Sequence, residues 1–200
     1  MDEPDLSRKP RKGGYAQREA RVLKPLTRAR LDEMALSYVA RFATSAAKLE
    51  AYLARKLRER GWDGAEDGAS AVAAIVARCV EAGYVDDETY ARMKSGSLLR
   101  RGYGQRRITQ ALGHDGIAAD IREEVAPDPR EARAAVVALA RRKGLGPFTR
   151  GRDPDESLDP ALREKQMGAL LRAGHSSALA RAILDMADRD MAESWVEEGD

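Results

Sequence analysis

The residues best suited to binding chemistry in this sequence flank one short turn, formed by Gly102, Tyr103 and Gly104. Basic or amide side chains stand on both sides of it: Arg100, Arg101, Gln105, Arg106 and Arg107. Guanidinium groups around an interhelical turn with an exposed tyrosine are suited to binding the phosphates or carboxylates of a partner. The alternative is that the turn is only a helix cap beside a solvated helix surface.

A second basic cluster, Arg141, Arg142 and Lys143, ends a predicted helix further along the chain. It either extends the binding surface of the turn or only offsets the negative C-terminal end of the helix dipole. A further cluster, Arg55, Lys56, Arg58 and Arg60, alternates with Leu53, Leu57 and Glu59, which is typical of an ordinary solvated helix face. We predict that the first two clusters contact a protein partner or DNA.

Residues that could support catalysis are sparse. His114 and His175 are the only histidines, and each flanks a helix-ending glycine, which indicates a capping or surface role. Asp86, Asp87 and Glu88 stand at a predicted helix start, where capping and the helix dipole explain them better than a metal does. The turn at 102–104 lacks the third glycine and the lysine of a phosphate loop. We therefore predict a binding protein with no catalytic site, no metal and no cofactor.

The composition favours helices, since 43% of the residues are apolar, mainly Ala and Leu, and only 5% are aromatic. Charge is unevenly distributed: residues 1–30 hold nine Lys or Arg against four Asp or Glu, whereas residues 185–200 hold seven acids against one Arg. The basic end could bind along phosphates, and the acidic end could solubilise the chain or shield the basic end. Alternatively, both ends are simply solvated and disordered. Cys79, the only cysteine, lies in an apolar helical stripe and should be buried. No apolar run is long enough to span a bilayer, so the cytoplasm is the expected location.

Apolar residues at helical spacing predict nine helices, the seventh of which begins with a capping box at Asp128, Pro129 and Glu131. Three helix ends share a leucine and, four residues later, a glycine: Leu57 with Gly61, Leu112 with Gly116, and Leu170 with Gly174. The separations of 55 and 58 residues suit three helices plus loops. The sequence thus predicts an all-α fold, an elongated tandem array of three three-helix repeats. Its parts are a basic flexible arm (1–30), the repeats (31–84, 85–127 and 128–187) and an acidic tail (188–200).

Four stretches carry a resemblance to a known family: 42–62 (FATSAAKLEAYLARKLRERGW), 83–90 (GYVDDETY), 101–107 (RGYGQRR) and 141–148 (RRKGLGPF). In this order and spacing they resemble the RecX family, and most of all its alphaproteobacterial members. One family motif matches Gly83, Tyr84, Asp86, Asp87 and Tyr90, and the other includes Gly102 and Gly104 together with the flanking arginines. The resemblance implies that these residues serve structure, partner binding or both.

The resemblance also implies a non-enzymatic role. RecX-like proteins bind the RecA recombinase and its filament on single-stranded DNA, and restrain filament extension, ATP hydrolysis and strand exchange. From it we expect a cytoplasmic monomer that modulates DNA repair, homologous recombination and the SOS response through RecA, with no membrane partner and with direct DNA contact left open. The alternative is a basic nucleic-acid-binding protein that acts without RecA.

Overall fold

A computed structural model describes residues 24–151, 153 and 158–198, and in this part of the chain the only regular elements are helices. A short 3-10 helix, Gly146–Phe148, follows the seventh of ten α-helices. The α-helices are α1 Arg28–Val39, α2 Ala46–Arg60, α3 Gly68–Glu81, α4 Asp87–Arg100, α5 Gln105–His114, α6 Ala119–Glu124, α7 Pro129–Lys143, α8 Pro160–Arg172, α9 Ser177–Asp185 and α10 Arg189–Glu197. The prediction of an all-α fold is confirmed.

The buried apolar side chains form three separate clusters that follow one another along the chain. The first lies among α1, α2 and α3, the second among α4, α5 and α6, and the third among α7 to α10 and the 3-10 helix. We call these units repeat 1, repeat 2 and repeat 3. Each has its own core, as expected for tandem repeats that contact mainly their neighbours. Cys79 lies in the first core and is 4% exposed, which confirms its predicted burial.

The start of each repeat follows from local capping chemistry. Asp86 accepts a hydrogen bond from the Thr89 backbone amide at the start of α4. Asp128 and Glu131 form the predicted capping box of α7. The glycines that give the repeat its register all have positive φ angles: 80° at Gly61, 78° at Gly116 and 94° at Gly174.

The boundary predicted for the basic arm is wrong for residues 24–30. Leu26 is fully buried in the first core, and its backbone amide donates to the carbonyl of Gly61 at 2.9 Å. The amide of Asp63 donates back to the Leu26 carbonyl, also at 2.9 Å, and Thr27 then caps α1. One apolar residue within a basic segment therefore ties this stretch to repeat 1. The rest of the predicted arm, residues 1–23, lies outside the described residues.

The predicted acidic tail is also wrong for residues 188–197, which form the capped helix α10. Ala192 is fully buried in the third core, and Trp195 and Val196 pack against it. These three residues follow helical spacing and form an apolar stripe that the acidic composition concealed. Repeat 3 thus has four α-helices rather than the expected three. Residues 199 and 200 lie outside the described part.

Candidate partner and nucleic-acid interface

The first family motif forms the joint between repeats 1 and 2. Gly83 leaves α3 with a φ angle of 71°, Val85 is buried in the first core, and Asp86 caps α4. The Asp87 carboxylate accepts a hydrogen bond from the backbone amide of Ala46 at 2.8 Å and so binds the start of α2. Asp86 and Asp87 therefore have structural roles. We call this contact region between repeats 1 and 2 the first joint. Tyr84, in the same motif, is 60% exposed and remains accessible.

Asp115, which was not among the predicted site residues, is the centre of the first joint. Its carboxylate accepts hydrogen bonds from the Tyr90 hydroxyl, at 2.5 Å, and from Lys94, and the Lys48 ammonium group lies 3.7 Å away. Its backbone carbonyl accepts a hydrogen bond from the Ser45 hydroxyl at 2.6 Å. The signal that could have identified Asp115 is its position directly before Gly116, where the repeats align.

Burial and charge set the protonation of this pair. Burial alone would raise the pKa of Asp115, but its hydrogen bonds from Lys94 and Tyr90 and the charges of Lys94 and Lys48 hold that pKa below its ordinary value. Burial, together with the hydrogen bond to Asp115, raises the pKa of Tyr90 to about 12. Asp115 is therefore a carboxylate and Tyr90 a neutral donor at physiological pH. Tyr90, a family-motif residue, acts in this joint.

The second family motif forms the joint between repeats 2 and 3, which we call the second joint. The Gly104 amide donates a hydrogen bond to the Ala173 carbonyl at 2.9 Å, and the Arg106 amide donates to the Gly174 carbonyl at 3.1 Å. A Cβ atom on Gly104 would lie 2.5 Å from the Gly174 backbone, and one on Gly102 would lie 2.8 Å from the Leu139 backbone nitrogen. Both glycines are needed because the two repeats meet backbone to backbone.

His175 belongs to the second joint, so its predicted capping or surface role is wrong. It is 1% exposed, and its Nε2 lies 3.1 Å from the Gly102 carbonyl. It occupies the position that Ile117, a buried core residue, holds in repeat 2. Burial lowers the pKa of His175, although the hydrogen bond to Gly102 acts in the opposite direction. The lowered pKa keeps the ring neutral. His114, in contrast, is exposed in the last turn of α5.

Exposed cations surround the second joint. Five of the predicted site residues there are solvent-exposed: Arg100, Arg101, Gln105, Arg106 and Arg107. The four arginines form no ion pair with any residue that the structure describes. Tyr103 is half-buried against the core of repeat 3, so its predicted exposure is wrong. The Arg101 guanidinium group lies 5.4 Å from the Tyr103 ring centroid, within the range of a cation–π interaction.

The second predicted cluster lies beside the first. Arg142 donates a hydrogen bond to the backbone carbonyl of Arg101 at 2.6 Å, across the second joint. Arg141 pairs with Glu193 of α10, and Lys143 is exposed at the end of α7. The tertiary structure thus brings the two clusters into contact, although 41 residues separate Arg101 from Arg142.

Metal and membrane sites each need a particular arrangement of residues. No group of three or more His, Cys, Asp or Glu side chains among the described residues is arranged to hold a metal ion. No helix within the described ranges is long and apolar enough to cross a bilayer.

These features define the class of the molecule, a helical-repeat protein with a cationic surface at its second joint. The family model of the second three-helix domain of RecX matches residues 86–125, which contain α4, α5 and α6. The chain is 35% identical over 162 residues to the regulatory protein RecX of Myxococcus xanthus, covering 78% of this chain and 84% of that relative. It therefore belongs to the RecX family of regulatory proteins.

Two further comparisons agree with that assignment. The regulatory protein RecX of Deinococcus radiodurans is 32% identical over 152 residues, which cover 75% of this chain and 70% of the relative. The crystal structure of RecX from Lactobacillus salivarius superposes with a TM-score of 0.61 and 19% identity, over 79% of this chain and 96% of that one. At this identity the structural match shows the shared fold.

Proposed function

We propose that this protein regulates the RecA recombinase by binding RecA and its filament on single-stranded DNA. Binding inhibits filament extension, ATP hydrolysis and strand exchange, and so modulates DNA repair and recombination. The protein acts as a monomer in the cytoplasm. Its membership of a family of regulatory proteins supports this function.

The observation that carries the proposal is the set of exposed arginines at the second joint that form no ion pair with a described carboxylate. An arginine whose charge no described carboxylate compensates keeps its full attraction for a phosphate or an acidic protein surface. Arg106 and Arg107 lie in the first turn of α5, and the Arg106 amide is hydrogen-bonded to Gly174 of the next repeat. The backbone that carries these guanidinium groups is therefore held in place before a partner binds, which lowers the entropic cost of binding.

The array also suits an extended partner. Three units with separate cores, linked by two joints, present a long surface rather than a closed pocket. Each successive protomer of a filament presents the same surface, so a long array can contact several protomers. We infer that Arg100, Arg101, Arg106 and Arg107 contact RecA or the DNA that it holds, and that Arg141, Arg142 and Lys143 extend this surface.

The test is the single-stranded-DNA-dependent ATPase activity of RecA, measured with increasing amounts of this protein. The wild type should inhibit, and Arg106→Glu combined with Arg107→Glu should weaken inhibition strongly at unchanged helical content. The matched control is Arg55→Glu with Arg58→Glu, which reverses the charge of two arginines of α2 in repeat 1, away from the arginines of the second joint. Full inhibition by the Arg106/Arg107 variant would move the contact elsewhere, and no inhibition by the wild type over several salt concentrations would refute the function.

A second candidate, a nucleic-acid-binding protein that acts without RecA, is favoured by the basic residues that line a cleft in repeat 3. It requires binding to naked DNA that falls steeply with salt and that RecA does not enhance. A RecA regulator binds best when RecA is present. Measuring affinity for one labelled oligonucleotide, with and without RecA, separates the two.

A further inference from the structure

An open cleft of about 640 Å³ lies in repeat 3 between the end of α7, the 3-10 helix and α10. Five cationic side chains line it: Arg141, Arg142, Lys143, Arg150 and Arg189. Among the described residues, Glu193 supplies the only acidic group of the lining. We call this the repeat-3 cleft. Its charge is strongly unbalanced, and three of its cations, Lys143, Arg150 and Arg189, form no ion pair with any described residue.

The floor of the cleft orients the cations at its rim. Phe148 is buried in the third core, and the guanidinium groups of Arg141 and Arg189 lie 5.6 and 5.9 Å from its ring centroid. An aromatic ring shared by two guanidinium groups holds both close to the cleft floor. Arg142 is held by its hydrogen bond to the Arg101 carbonyl. Three of the five cations therefore make contacts that favour a position at the cleft before any ligand arrives.

The cleft already holds one anion that belongs to the chain itself. Glu193 of α10 places its carboxylate on the Arg141 guanidinium group. Both side chains are more than half exposed, so water competes for this pair and its contribution to stability is small. An incoming anion can displace the carboxylate without disturbing the buried contacts of Ala192.

We propose that the repeat-3 cleft binds successive phosphates of single-stranded DNA, and that Glu193 is a built-in competitor that occupies Arg141 until the strand displaces it. A single phosphate group is satisfied by one or two guanidinium groups. Five cations spread around an open cleft of this size match a chain of phosphates instead. Phe148 is buried, so no base can stack on its ring, and the cleft recognises the charge of the phosphates.

This proposal deepens the function proposed above and rests on it for its biological setting, but its test uses naked DNA and contains no RecA. Binding of a short labelled oligothymidylate is followed by fluorescence anisotropy at several salt concentrations. Arg189→Ala and Lys143→Ala should each weaken binding and reduce the slope of log affinity against log salt by about one for each phosphate that is no longer neutralised. Arg130→Ala is the matched control, since Arg130 also lies on α7 and pairs with α10 but does not line the cleft.

If Glu193 competes with DNA for Arg141, removing its charge should strengthen DNA binding, whereas removing a cation of the cleft weakens it. Glu193→Gln should tighten DNA binding by about two- to fivefold, the equivalent of an exposed ion pair. Glu197→Gln removes the same charge from the same helix but breaks the pair with Arg130, outside the cleft. It should therefore change affinity much less. Equal gains in the two variants would show a general charge effect and overturn the competitor role.

Two further outcomes would overturn the assignment of the cleft to DNA. One is unchanged affinity and salt slope in Arg189→Ala and Lys143→Ala, with melting temperatures equal to that of the wild type. The other concerns competition: at equal phosphate concentration, inorganic phosphate displaces the labelled oligonucleotide as effectively as unlabelled strand does. That result would identify a site for the free ion. Loss of RecA inhibition alone changes neither readout, so this proposal and the proposed function fail independently.

Discussion

The hydroxyl of Tyr90 donates a hydrogen bond to the carboxylate of Asp115 at 2.5 Å, within the joint between repeats 1 and 2. Tyr90 is the last residue of a family motif, whereas Asp115 lies 25 residues away and outside it. Lys48 from repeat 1 and Lys94 from repeat 2 both lie at the same carboxylate. One buried carboxylate therefore links the two units.

Asp115→Asn should lower the free energy of unfolding by about 1 to 3 kcal/mol, since two lysines and a tyrosine hydroxyl are left without their charged acceptor. Urea denaturation at neutral pH measures this difference. Asp120→Asn, an exposed acid in the first turn of α6, is the control and should cost a few tenths of a kcal/mol at most, roughly the value of a helix-dipole interaction. Equal stability of the wild type and Asp115→Asn would show that the joint does not rely on this carboxylate.

Gly104→Ala should destabilise the protein by about 1 to 3 kcal/mol, because the added methyl group would meet the Gly174 backbone, which has no flexible end to move aside. Thermal melting checks this. Gly96→Ala is the matched control: it lies within α4, and its new methyl group would meet only the end of the Arg100 side chain. That variant should be neutral or up to about 1 kcal/mol more stable, since alanine favours helix. A Gly104→Ala protein as stable as Gly96→Ala would contradict the close approach at the second joint.

His175 should make the stability of the fold depend on pH. Burial lowers its pKa from the ordinary 6.5. As the pH falls below 6.5, the unfolded chain therefore binds a proton at this histidine while the folded protein still does not. Stability is therefore fully present above pH 6.5 and is lost as the pH falls towards the lowered pKa, with a slope of at most about 1.36 kcal/mol per pH unit.

Denaturation at a series of pH values between about 7.5 and 5 tests this, because that window contains the ordinary pKa of histidine. His175→Ile, which introduces the residue type found at Ile117 of repeat 2, should remove this part of the slope whatever its effect on absolute stability. His114→Ala is the control at an exposed histidine. A slope that persists in His175→Ile would assign the pH dependence to other groups.

Local features of the fold could be predicted from the sequence. The Asp86 and Asp128 caps, the glycine ends at Gly61, Gly116 and Gly174, and the burial of Cys79 all appear as expected. Caps and glycine turns involve groups within a few residues of one another, so residue type and spacing largely decide them. The solvent exposure of the second-joint arginines was predictable for the same reason, since a charged side chain on a helix surface needs no distant partner.

By itself, then, the sequence determined most helix caps and glycine ends, that the units repeat, and which cations face solvent. Only the tertiary structure decided that Asp115 is the centre of the first joint, that His175 is buried in the second, and that α10 docks on α7 with Glu193 at Arg141. The physical reason is distance along the chain. A carboxylate or an imidazole has the same local pattern whether it is solvated or buried, and only the partner that packing brings to it, 25 to 73 residues away, sets its charge and its role.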